Sequence, residues 1–146
     1  VEMRQTDVRK NQVTGAGRFP FTKKQTGLLT MLGLGFWFLG AMTVKFGAQV
    51  GLFGPVASIF AFALGIAVAW VGVKFMISFC KLEIEQIVPG VAFGLGVATF
   101  SDGIAITWFT SLYGNQWEDV GLGAAWILWG AFTFLAAAFL EAYKRA

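Results

Sequence analysis

The chain has 146 residues and a net charge of +3, with 57% hydrophobic and 13% charged residues. Soluble domains carry roughly 25% charged residues, so these residues cannot assemble a water-facing surface. There is no histidine and one cysteine, Cys80, which excludes Ser-His-Asp and Cys-His catalysis, histidine ligation of zinc or haem, and an internal disulfide.

The charge is concentrated at the start. Residues 1–26 hold six bases (Arg4, Arg9, Lys10, Arg18, Lys23 and Lys24) against Glu2 and Asp7, a net +4, and the other 120 residues hold five bases against six acids, a net −1. Gly15, Gly17 and Pro20 interrupt this arm, which alone in water is expected to be disordered. An arm with no folded reader, placed before an apolar run, reads as a topology signal and as a contact for anionic lipid or a partner chain, with no nucleic acid involved. No secretory signal is visible, since the apolar core such a signal needs does not come first. The chain begins with Val1, which fits an alternative start, a processed mature end or a trimmed one. The expected location is therefore a bacterial inner membrane or, if the end is processed, a plastid thylakoid membrane.

Four apolar runs follow, each near the roughly 20 residues needed to cross a ~30 Å hydrocarbon layer. The first predicted span covers about residues 28–46 and is apolar except for Lys45. Gly47, Gly51, Gly54 and Pro55 then predict a turn. The second span covers about 56–79, with Lys74 near its far end, and a short connector leads to the third, about 87–112. Pro89 is expected in the first turn of that span, where a missing N–H costs nothing. A polar loop of residues 113–119 precedes the fourth span, about 120–143, and Asp119 is placed to cap it. The fold class is thus all-α: a 26-residue arm, then a four-helix transmembrane bundle over 27–146.

Lysine and arginine counts set the sidedness. The arm, Lys74, Lys81, Lys144 and Arg145 fall on one side, and only Lys45 falls on the other with Glu118 and Asp119. Both termini are expected on the cytoplasmic or stromal side. Trp37, Trp70, Tyr113, Trp117 and Tyr143 are partly consistent with interface belts, although Trp37 and Trp108 look deeper.

Small residues spaced by four let helix backbones approach closely in lipid. The second span carries Ala57, Ala61, Gly65 and Ala69, and the third Gly90, Gly94 and Ala98. The short connector predicts that these two stripes face each other. Asp102 continues the second stripe and is the one acid well inside a span. Such an acid costs roughly 2.5–3.5 kcal/mol on insertion scales, so it must face protein or water. Two readings stay open: an interhelical pair or hydrogen bond, with Lys45 as the natural partner, or an ion or ligand site. No metal-ligand cluster stands out. Gly33-Leu34-Gly35 and Gly94-Leu95-Gly96 lack the strand and spacing of a dinucleotide loop.

The run Val88-Pro89-Gly90, then Asp102-Gly103, then Trp126-Ile127-Leu128-Trp129-Gly130 resembles an uncharacterised family of small four-helix membrane proteins, over roughly residues 28–140. That resemblance implies the four-span fold, with Lys45 as a basic residue late in the first span, and implies no activity. The expectation is a non-enzyme: an accessory or assembly subunit of a larger membrane complex, by analogy a photosynthetic or other energy-transducing one. In such a host, chlorophyll, carotenoid or lipid would pack against the Phe- and Trp-rich surface. The alternative is a small ion- or proton-coupled transporter that uses Asp102.

Overall fold

The computed structural model describes residues 19–146. Helices α1 (Lys23–Gln49), α2 (Ala57–Cys80), α3 (Ile84–Trp108) and α4 (Trp117–Arg145) are joined by short connections, the last containing a 3₁₀ turn at Thr110–Leu112. Each helix is long and apolar enough to cross a membrane. Their 24 to 29 residues, at about 1.5 Å each, exceed a ~30 Å apolar layer.

Local chemistry sets the ends. Thr22 and Gln25 form a reciprocal capping box that starts α1, and Glu83 with Gln86 does the same for α3. This box starts α3 ahead of the expected residue 87. Pro89 therefore lies in the second turn, and the Glu85 carbonyl loses its N–H partner there. Lys81 closes α2 in the left-handed region (φ 51°), with the Leu82 N–H returning to the Ile77 carbonyl. Phe109 leaves the helical path and ends α3 at Trp108, short of the expected residue 112. Gln116, without a side-chain bond, stands at the N-cap of α4 in place of Asp119, while Glu118 and Asp119 occupy the first turn and favour the helix dipole.

The packing order differs from the chain order. Helix α1 packs mainly on α3, α3 on α4, and α4 on α2, whereas α2 and α3 touch little. The expected face-to-face contact of the two small-residue stripes is thereby overturned. Their residues are buried except half-buried Ala57, but the stripes do not face each other; Gly94, for one, lies against Met76 of α2. A methyl on Gly33 of α1 would sit 2.5 Å from the Gly94 carbonyl oxygen, so these two backbones meet. Gly90 lies under Leu82 and Phe21. On α2, the Ala61 and Phe62 carbonyls accept the indole N–H groups of Trp126 (3.1 Å) and Trp129 (3.0 Å) from α4. A tight connector brings helix ends together, but side-chain fit along the length decides the neighbours.

Two apolar clusters result. One gathers Leu29, Val73, Met76, Ile77, Ile87 and Val91 at the end of the bundle near Lys81. The other gathers Ala41, Val44, Phe53, Ala105 and Val120 around Tyr113 at the opposite end.

Candidate functional site

Asp102 lies on the buried face of α3 and is 8% exposed. Its expected partner is replaced. Lys45 is half-buried and takes part in neither ion pair found among the described residues. Instead, the Tyr113 hydroxyl donates to Asp102 Oδ1, and the Trp37 indole N–H donates to the same hydroxyl at 3.0 Å. Tyr113 is completely buried, so it does not serve in an interface belt as its position suggested. Eleven residues of continued helix would carry Tyr113 about 16 Å beyond Asp102. The break at Phe109 and the 3₁₀ turn fold it back instead, which links α1, α3 and the α3–α4 connection. Burial pushes the Tyr113 phenol well above its ordinary value. Its bond to Asp102 and the charge there act in the same direction, and the Trp37 bond opposes them.

Asp102 also lines a cavity of about 190 Å³ between the four helices. Phe36 and Phe134 on its wall belong to the packing around the Lys81-end cluster, and Trp37, Trp126 and Ile127 to the packing around the Tyr113-end cluster. The cavity therefore sits where the two apolar clusters meet. A larger cleft of about 590 Å³ lies between the α1–α2 turn and the start of α4. Its acids, Glu118 and Asp119, already serve the α4 N-terminus, so it offers no comparable chemistry.

The Lys81 end carries two other polar clusters. Gln25 Nε2 donates to Gln86 Oε1 (3.1 Å), and Gln86 Nε2 donates to the Pro20 carbonyl (2.7 Å). The two capping boxes are thus joined, and the root of the basic arm is fixed to them. Phe21, buried, completes the attachment with Phe19 and Phe93, ring centroids 5.5 and 6.1 Å away. Nearby, buried Glu141 pairs with Arg145 (3.3 Å) and more loosely with Lys74 (4.0 Å), and Lys144 lies 4.4 Å from the centre of the Trp70 ring. Lys23 and Lys24 are exposed in the first turn of α1, while Arg4, Arg9, Lys10 and Arg18 lie outside the described residues.

Tyr113, Trp37, Gln25 and Gln86 were not singled out as site residues from sequence. The Thr-x-x-Gln and Glu-x-x-Gln spacings carry a readable signal for the two glutamines. Nothing comparable marks the tyrosine or the tryptophan.

No protein-family model, no curated protein and no solved structure matches this chain. The resemblance drawn from the short Pro-Gly, Asp-Gly and Trp-Gly runs accordingly carries no functional argument.

Proposed function

We propose that the chain is a non-catalytic accessory or assembly subunit of a larger membrane protein complex, with both termini on the cytoplasmic or stromal face. The observation that carries this reading is the fixed root of the basic arm. Pro20 and Phe21 are tied to α3 through Gln86 and Phe93, which fixes the root of the segment beside exposed Lys23 and Lys24 at one corner of the bundle. A cationic segment attached in this way suits an acidic partner surface or anionic lipid. Only 22–33% of the most apolar stretch of each helix is buried within the bundle, which leaves wide apolar faces for lipid and neighbouring subunits. An energy-transducing host, such as a photosynthetic complex of the thylakoid, would place chlorophyll, carotenoid or lipid against those faces.

The test is purification in mild detergent from the membranes that naturally contain the protein. The full chain should migrate with a larger complex. Deletion of residues 1–18 should release it as a folded monomer or dimer with unchanged helical circular dichroism. A full-length chain that runs alone would overturn the reading.

A second reading, a small ion- or proton-coupled transporter, is favoured by the position of Asp102 on the wall of a cavity between the helices. It requires pH-dependent solute uptake by proteoliposomes that Asp102→Asn abolishes.

A further inference from the structure

We propose that the cavity beside Asp102 binds a small lipophilic monocation: a single ring on a short chain that ends in a protonated amine. The inference stands apart from the arm-mediated assembly above and holds whether the chain works alone or within a complex.

Size comes first. The cavity holds about 190 Å³, and an apolar cavity of about 150 Å³ is enough for benzene. One ring with a two- or three-atom extension fits this space.

The wall sets the polarity. Trp37, Trp126 and Phe134 line it with Ala98 and Gly40. Such a surface rewards an apolar body, and its hydroxyl groups, on Thr43 and Thr99, are uncharged. Aromatic rings also attract a cation close to them.

Asp102 sets the sign. The side chain is more than nine-tenths buried, and only Oδ1 is engaged, by Tyr113. Oδ2 has no hydrogen-bond partner among the described residues, yet it is not sealed off as an unsatisfied buried atom. It is therefore open to the cavity that the residue lines. Neither ion pair among the described residues involves Asp102. A bound ammonium would supply both the missing donor and the missing counter-charge, in a charge-assisted bond of the stronger kind.

The way in follows from the rim. Leu39 of α1 and Val68 of α2 line the cavity while remaining 62% and 48% exposed. These two helices touch little. The opening thus lies sideways between α1 and α2, on an apolar face, where a lipophilic amine would concentrate.

The test titrates 2-phenylethylammonium into the full chain in a non-ionic detergent, read by tryptophan emission and by calorimetry. Propylbenzene is the neutral counterpart and 3-phenylpropanoate the anionic one. The ammonium should bind saturably and about tenfold or more tighter than propylbenzene, and the anion should not bind. Asp102→Asn should erase the preference for the ammonium while propylbenzene still binds. Ala98→Leu, one turn before Asp102, should fill the cavity and abolish both. Equal affinity for the charged and neutral probes in the unaltered protein would overturn the proposal. So would ammonium binding unchanged in Asp102→Asn, or retained in Ala98→Leu. If Asp102→Asn does not fold, the charged-against-neutral comparison in the unaltered protein decides alone.

Discussion

The seam between α1 and α3 and the seam between α2 and α4 use the same residue types for different ends. In the first, Gly33 admits a backbone: the Gly94 carbonyl occupies the space a side chain would need. In the second, small residues admit rings. Gly72 lies under Phe134, Gly65 lies beside Trp129, and the two tryptophans of α4 bond to α2 carbonyls. A stripe of small residues therefore marks a close contact without naming the partner. It is the opposing helix, backbone-thin or aromatic, that determines how much a substitution costs.

The largest expected effect comes from breaking the first seam. Gly33→Ala puts a methyl 2.5 Å from the Gly94 carbonyl oxygen and 2.9 Å from Val97 Cβ. Neither atom is the free end of a flexible chain, so α1 and α3 must separate. A loss of about 1–3 kcal/mol is expected, in the range of overpacked cores, and thermal unfolding in detergent measures it.

This contrast also explains what could be read from the sequence. The four long apolar helices were legible because each needs only length and hydropathy, and their bounds fell within five residues, the largest shift being at Lys23, where the Thr22–Gln25 box starts α1 ahead of the expected residue 28. The buried positions on α2 and α3 were legible as small-residue stripes. Their partners were not, because helices apolar on every side carry no amphipathic signal to choose among neighbours. For Asp102, burial was legible from its cost in lipid. Its partner was not, because Tyr113 reaches it only through a break in the helix, and counting along straight helices favoured Lys45.

The polar clamp at the end of the first seam comes next. Tyr113→Phe removes the hydroxyl that receives the Trp37 N–H and donates to Asp102. Buried Asp102 and half-buried Trp37 lose their partner, at a cost of about 1–3 kcal/mol. The same variant tests the alkaline limb. The Tyr113 phenol holds its proton above its ordinary value of 10.0 in the folded chain, so above that pH the unfolded state binds fewer protons than the folded one. The stabilisation is complete below about pH 10 and is lost as pH rises further. The stability difference between the parent chain and Tyr113→Phe should therefore narrow above pH 10 and stay constant below it.

The second seam should yield less. Trp129→Phe removes one indole bond to the Phe62 carbonyl and some ring area, and the phenyl can still pack on Phe62 and Phe132, whose rings lie 5.6 Å away. A cost of about 1 kcal/mol or less is expected, since interhelical hydrogen bonds between apolar helices are individually modest. A loss equal to that of Gly33→Ala would erase the distinction between the seams.

The smallest effect is the most discriminating. Gly65 of α2, like Gly33 of α1, is a buried glycine facing a neighbouring helix. A methyl there would lie 3.5 Å from Trp129 Cδ1, 3.7 Å from its Nε1 and 3.8 Å from Trp126 Nε1. These are ordinary van der Waals separations, and the contacted atoms are side-chain atoms that can adjust. Alanine also removes the entropic cost of glycine within a helix, about 0.5–1 kcal/mol in water. Gly65→Ala should therefore leave the unfolding temperature unchanged or slightly raised, where Gly33→Ala lowers it. If both substitutions destabilise alike, crowding by the opposing backbone is not what separates the seams, and Gly33 and Gly65 would be serving one common purpose.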